Sequence, residues 1–378
     1  MSLSDSKMNL QAGEKAEAMI FQGPHQAFEW MQLPIAELKQ GEVLVRVLYA
    51  TICTSDLHTF SGRRTGPTPC LLGHEIIGEV VAIGAGQVLD YHRQSIAVGD
   101  RITWTIYAHD HQGAMAALGL PQKSPDVFKY GHQPFDHTHP LSGGFATHCH
   151  LKSGTDLFKL PLSLSYQEAA PLNCTHATIA GALRMAGGLI GKNVLVVGAG
   201  MLGLSACAMT TESGAQAVAV LDINSARAAK ATAFGATVIL SDSPQLQAEQ
   251  IASMGGVDVI IETSGVPEAM EKSLDYLNIG GICVWVGAVF QQRDLHINAE
   301  RVVRKLITIK GLHNYIPADL DSAIRFLEKH HQDYPFHSLV SHTFPLENLG
   351  LAFEFAQDSK FYRVGIQTNK FSSTKKHK

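Results

Sequence analysis

A chain of 378 residues with a net charge of −4 is longer than one ordinary core accommodates, so two domains are expected. Hydrophobic content of 45%, charged content of 17% and 34 glycines describe an α/β chain with many turns. The acidic balance argues against general nucleic-acid binding, and no apolar run has the length needed to span a bilayer. The opening residues, MSLSDSKMNLQAGEKAEAM, carry neither a secretory apolar core nor an arginine-rich amphipathic pattern, so a cytoplasmic location is expected. The six cysteines lie far apart without a pairing pattern, which favours reduced thiols or metal ligands over disulfides.

In chain order, residues 1 to about 16 are polar and small and read as poorly ordered. From Ala18 to about Gly99, short β-rich runs (GEVLVRVLYATIC, HEIIGEVVAIGAG, VGDRITW) alternate with turn glycines, which suggests a small β-barrel without repeating helices. Residues 108–140 hold histidines and four prolines with little periodicity, the pattern of a long irregular lobe. A helical pattern starts at Ser165 and runs through YQEAAPLNCTHATIAGALRMAG to Gly191. Strands then alternate with helices up to about residue 319, as in a parallel, doubly wound sheet. There PEAMEKSLDYLNIGG reads as a helix capped by Gly280-Gly281, and ICVWVGAV as the strand after it. Beyond it DLDSAIRFLEKH reads as a helix, SHTFPL and YRVGIQT return to β texture, and the basic tail KFSSTKKHK reads as a solvated end.

Within the alternating part, Asn193 to Asp222 gives strand, glycine turn, helix, strand and acid, which is the dinucleotide-binding pattern. Gly198 allows the tight turn, Gly200 lets the backbone approach a pyrophosphate, and Gly203 lets the helix pack on the strand. Met201 and Leu202 complete the loop, whose free N–H groups at the helix start suit phosphates. Asp222 would accept both ribose hydroxyls and so favours NAD over NADP, while Arg227 keeps NADP open. Gly287 falls where a later strand ends and reads as a further cofactor contact or a plain turn.

Three stretches hold residues suited to zinc: Cys53-Thr54-Ser55-Asp56-Leu57-His58, Gly73-His74-Glu75 and Asn173-Cys174-Thr175-His176. A catalytic zinc takes about three thiolate or imidazole ligands and leaves one position open, and Cys53, His74 and Cys174 would supply such a set. Taken singly, each reads more readily as a buried thiol or a satisfied core histidine than as a ligand.

Together, Cys-Thr-Ser-Asp-x-His, Gly-His-Glu-x-x-Gly-x-Val, the cysteine ahead of the nucleotide fold and VVGAGMLG resemble the zinc-dependent alcohol dehydrogenases of the medium-chain dehydrogenase/reductase superfamily, from about Ala18 to Thr368. The resemblance implies a GroES-like β-barrel domain over 1–164, completed by 320–378, and a Rossmann NAD-binding domain over 165–319. It implies a catalytic zinc on Cys53, His74 and Cys174, with Glu75 as an occasional fourth ligand and Asp56 orienting His74. Ser55 would take the substrate's proton and pass it through the cofactor ribose to His58 and solvent. It also implies a homodimer or homotetramer, and the apolar strand ICVWVGAVF is a candidate for pairing across a two-fold axis. GRR near residue 62, GPTPCLLGHEIIG, GLPQKS, KYGH, LSGGFATHCHL and GLHNYIP are similar to the phosphonate-catabolism-associated group of that superfamily.

One departure stands out. Many members carry a second, structural zinc on four cysteines of the irregular lobe, where this chain has Asp110, Gly113, Ala116 and Ser124. One zinc per chain is therefore expected; the lobe's histidines (His109, His111, His132, His137, His139) leave a substitute metal site open as the less favoured alternative, since they lack the paired spacing typical of zinc. On the substrate side, Arg63 and Arg64 follow the metal loop and present planar donor forks that fit phosphonate, phosphate or carboxylate, unless they only face water. Lys129 and His132 would join them, while packing is at least as good a role for His176 as catalysis. The expectation is an NAD-dependent, single-zinc alcohol dehydrogenase acting on a small anionic hydroxylated compound. The alternatives are a neutral polyol or amino-alcohol dehydrogenase, and a zinc-free nucleotide-binding sensor.

Overall fold

The computed structural model describes residues 15–368; residues 1–14 and 369–378, which include the tail KFSSTKKHK, lie outside the described residues. The chain divides into two compact units, residues 1–173 with 337–378, and residues 174–336.

The first unit is built on an eight-stranded sheet around Val43–Ile52, whose residues VLVRVLYATI are buried at nine of ten positions. Such an apolar, β-branched run with both faces covered belongs at the centre of a sheet. Glu75–Ile83 and His148–Leu151 pair with it antiparallel, Arg101–Ala108 continues the sheet beyond Glu75–Ile83, and Thr155–Lys159 pairs with Arg101–Ala108. On its other side lies Arg363–Gln367, antiparallel with Val364 opposite Ile52, so a segment about three hundred residues downstream closes this unit. The β-rich reading misses one element, the seven-residue helix Thr54–Phe60. Its single apolar face spans only two turns, too short for a period to show in sequence.

The second unit is a six-stranded, wholly parallel sheet in the order Val238–Ile239, Ala217–Leu221, Asn193–Val197, Val257–Glu262, Leu277–Trp285, Thr308–Gly311. Numbered along the chain this is 3-2-1-4-5-6, the doubly wound order, with its switch point between Asn193–Val197 and Val257–Glu262. The α/β fold, with a GroES-like domain and a Rossmann-type sheet, is as expected from sequence.

Two sequence readings need correction. Gly280-Gly281 do not cap a helix: the helix ends at Ser273, and both glycines lie inside the strand Leu277–Trp285. The register with the neighbouring strand shifts between Val257 and Val259, and Gly280, at φ +77°, supplies the left-handed residue such an irregularity requires. That strand is also hydrogen-bonded on both sides, so it cannot pair across a two-fold axis; the edge on that side is Thr308–Gly311.

The helix Met201–Glu212 starts directly at Gly200 and is buried at nine of its twelve positions. A Cβ at Gly203 would stand 1.8 Å from the carbonyl oxygen of Gly198. We expect Gly203→Ala to lower stability by at least about 1–3 kcal/mol, because backbone would have to move. Gly188→Ala, with nothing within 4 Å of the new methyl, should stay within about 0.5 kcal/mol. Urea unfolding midpoints check both, and equal midpoints would remove the packing argument.

Candidate metal and nucleotide sites

The strand Val43–Ile52 ends one residue before Cys53, and the helix Thr54–Phe60 begins one residue after it. Asp56, in the first turn, accepts a hydrogen bond from the Cys53 backbone N–H at 2.9 Å through Oδ2. Its Oδ1 stands 3.1 Å from Nδ1 of His74. Both residues are fully buried, so one carboxylate caps the helix and orients the imidazole. With Nδ1 so engaged, His74 presents Nε2, which lies 3.2 Å from Ser55 Oγ. Gly73, at φ +92°, delivers His74: a Cβ there would meet the Phe145 backbone nitrogen at 2.9 Å.

The helical run expected from Ser165 is present but broken. Ser165 caps Tyr166–Ala169 reciprocally with Glu168, and Pro171, which has no N–H, sits in the 3-10 turn Ala170–Asn173 that follows. Asn173 Oδ1 accepts from the Ile76 N–H at 3.3 Å, fixing the end of the first unit to the strand that begins just after His74. Cys174 is the next residue, with φ −133° and ψ −77°, outside helical geometry. Its thiol is thus placed by the turn it is bonded to, and Cys53, His74 and Cys174 are a set of side chains that could hold a metal ion. Two thiols and an imidazole with its second nitrogen fixed are a donor set that fits zinc.

Glu75, expected as an occasional fourth ligand, has both oxygens engaged. Arg363 donates to them at 2.7 and 2.8 Å and Thr51 donates at 2.6 Å, while Arg363 also reaches Cys53 Sγ at 3.5 Å. Burial pushes the Glu75 carboxyl up, against the opposing pull of Arg363. Sequence reasoning missed Arg363: one arginine in a β-like stretch 288 residues from its partner carries no local signal.

Ser55 and His58 are one turn apart on the same short helix. Burial, followed by the charge of Arg63, holds the His58 imidazole below its ordinary value. Arg64 sits in the turn after the helix, its N–H bonded to the His58 carbonyl at 3.0 Å. The His132 ring stands 4.9 Å from that of His74. Burial and the neighbouring His74, Arg64 and Lys129 hold His132 well below its usual value, so it is neutral. Lys129 is brought down to about 8 by burial and by the charges of Lys123 and Arg64.

In the second unit, Gly198 turns at φ +95° and Gly200 caps the helix that begins Met201-Leu202-Gly203. Asp222 accepts from the Ala199 N–H at 2.6 Å and the Asn224 N–H at 2.8 Å, tying the second strand's end to the glycine turn. Arg227 reaches this turn as well, with a guanidinium nitrogen 3.9 Å from where a Gly200 Cβ would be. This cradle, closed to any side chain at Gly203 and bordered by a carboxylate, fits a dinucleotide. Gly287 has a structural reason to be glycine: a Cβ would lie 2.3 Å from the Gly265 nitrogen. Glu262, which sequence reasoning missed, ends the switch-point strand and accepts from the N–H groups of Ser264 and Gly265 at 2.8 and 2.9 Å, shaping the loop that Gly287 approaches. His176 is fully buried, with Nδ1 2.9 Å from Ser205 Oγ and its ring against Phe336, a packed and paired position.

Residues 39–162 match the alcohol dehydrogenase GroES-like domain, and residues 202–329 match the zinc-binding dehydrogenase domain. The chain therefore belongs to the zinc-dependent alcohol dehydrogenases of the medium-chain dehydrogenase/reductase superfamily, oxidoreductases acting on CH–OH groups. It is similar to the sorbitol dehydrogenase of Bacillus subtilis (strain 168), 30% identical over 75% of this chain and 78% of that one. It is likewise similar to the L-threonine 3-dehydrogenase of Aeromonas salmonicida (strain A449), 29% identical over 75% of this chain and 80% of the relative. Among solved structures, an alcohol dehydrogenase of Thermotoga maritima superposes with a TM-score of 0.89 at 26% identity, covering 94% of this chain and all of that one. Membership in this family sets aside the zinc-free sensor reading. Among the described residues no helix is long and apolar enough to cross a membrane.

If Asp56 orients His74, Asp56→Asn should weaken zinc binding about 10–100-fold. Competition against a chromophoric chelator measures this, and an unchanged affinity would assign Asp56 to helix capping alone.

Proposed function

We propose that the chain is an NAD-dependent alcohol dehydrogenase with its catalytic zinc on Cys53, His74 and Cys174, acting on a small hydroxylated compound that bears an anionic group, of the hydroxyphosphonate kind. The observation that carries the anionic substrate is the cationic surround of one ligand: His132 packs on His74 and feels the charges of both Arg64 and Lys129. A planar guanidinium and an ammonium on that side of the metal loop suit phosphonate or carboxylate oxygens. Asp222, at the end of the second strand, supports NAD as the preferred dinucleotide.

When bound, zinc acts as a Lewis acid toward the substrate hydroxyl, and NAD accepts the hydride. The chain's own residues handle the proton. Ser55 Oγ, beside His74, takes it from the substrate hydroxyl, and His58, one turn further along, releases it to solvent. His58's depressed imidazole is unprotonated at neutral pH and so able to receive it. The enzyme is read as cytoplasmic and as a homodimer or homotetramer, without nucleic-acid or membrane partners. A second reading, a neutral polyol or amino-alcohol substrate, is favoured by the relatives named as sorbitol and threonine dehydrogenases.

Initial rates of NADH formation with hydroxyalkylphosphonates and their uncharged counterparts decide between them. Selective turnover of the charged members is expected, and Arg64→Ala should then raise their KM by about tenfold or more while leaving that of neutral alcohols unchanged. Turnover of neutral members alone would discard the anionic substrate and keep the polyol reading. Lys129 gives a pH signature. It is charged below about 8 and neutral above, so its help to an anion is present at low pH and lost as pH rises through that value. The KM ratio between Lys129→Met and the unsubstituted enzyme should therefore exceed one below pH 8 and approach one above it; a pH-independent ratio counts against a role for this lysine.

A further inference from the structure

The irregular lobe joins the main sheet where Arg101–Ala108 pairs antiparallel with Thr155–Lys159, with Ala108 opposite Thr155. Just past this register the His109 N–H donates to the Gly154 carbonyl at 3.1 Å. Gly154 makes that approach possible, since a Cβ there would stand 2.4 Å from the His109 carbonyl oxygen. The pairing thus sets His109, the first residue beyond one strand, beside Asp156 in the other. His111 follows after a turn held by Asp110, which accepts from the Gln112 N–H at 2.9 Å through its side chain and from the Gly113 N–H at 3.1 Å through its carbonyl.

The result is a compact group of two imidazoles and a carboxylate. His111 Nε2 stands 3.1 Å from Asp156 Oδ1, and the two imidazole rings lie 4.3 Å apart. The other carboxylate oxygen, Oδ2, faces His109 Nδ1 at 3.9 Å. Both of these atoms are buried and neither has a hydrogen-bond partner among the described residues. The His109 side chain is only 3% exposed. A separation of 3.9 Å is too long for a hydrogen bond, but zinc bonds of about 2.0–2.2 Å to nitrogen and oxygen span donor separations up to about 4 Å. All three ligand atoms lie within 4.8 Å of one another.

We propose that His109, His111 and Asp156 form a second metal site, taking a divalent cation of the zinc class. Imidazole and carboxylate donors suit such an ion, and His111, whose side chain is 54% exposed, leaves an open side for entry and for a water ligand. The thiolates missing at Asp110, Gly113, Ala116 and Ser124 led to an expectation of one zinc per chain. The new ligands come from different positions, one of them, Asp156, beyond the lobe in the strand Thr155–Lys159, and they replace that expectation with two. A metal here would clamp the start of the lobe to the sheet.

Cobalt separates this site from the cysteine one, because thiolate ligation gives an intense charge-transfer band that nitrogen and oxygen ligands lack. The full chain, stripped with chelator and titrated with Co²⁺, should take up two equivalents, one with the charge-transfer band and one without. His111→Gln and Asp156→Asn should each take up one equivalent with the band at full intensity. Their affinity for the band-silent equivalent should fall by more than the roughly 10–100-fold seen for outer-shell partners. His111 is exposed, so its substitution leaves the fold intact even if that of Asp156 does not. A single equivalent in the unsubstituted chain, a band accompanying both equivalents, or two equivalents retained by His111→Gln would overturn the proposal.

Discussion

One carboxylate holds the metal loop together. Asp56 accepts from the backbone N–H of Cys53 with one oxygen and faces the His74 ring with the other, so a helix start and an imidazole 18 residues away share a single buried anchor. A charge with no exposure to solvent is tolerated only when its hydrogen-bonding capacity is used, and here both uses serve the same site. The short helix Thr54–Phe60 owes its start to that carboxylate, and Ser55 and His58 owe their common helix to it. Moving Asp56 would therefore disturb the His74 ring and the helix cap together.

A second buried carboxylate, Glu262, plays the corresponding part in the nucleotide unit. It gathers the N–H groups of Ser264 and Gly265 and so bends the chain where the doubly wound sheet reverses its order. Gly287 then passes within van der Waals distance of that bend, and Asp222 reaches back to the glycine turn from the other side. The crevice of this fold is thus edged by backbone held in place by acids rather than by bulky side chains.

What was legible in the sequence was what is encoded locally. β-branched runs, turn glycines and the alternation of strands with helices disclosed the fold, because each is set by neighbours within a few residues. The glycine turn and the Cys53 and His74 motifs were legible for the same reason, and the family they resemble is the one the chain belongs to. Long-range register was not legible. Arg363 meets Glu75 only because Arg363–Gln367 pairs with Val43–Ile52, and Asp156 meets His109 only because Ala108 lies opposite Thr155. Gly280-Gly281 misled because a glycine pair at a strand irregularity has the same composition as one at a helix end. The helix Thr54–Phe60 escaped because it has too few residues to display a period.

The pairing of Glu75 with Arg363 also bears on the order in which the molecule takes shape during synthesis. The residues of the second unit, 174–336, all leave the ribosome before Arg363 does. A growing chain can therefore complete its parallel sheet while Val43–Ile52 still lacks its antiparallel neighbour and Glu75 lacks the guanidinium that occupies both its oxygens. The nucleotide unit is in this sense an early passenger in a chain whose first unit finishes late, and the surroundings of Cys53 acquire their final charge only when Arg363–Gln367 joins the sheet.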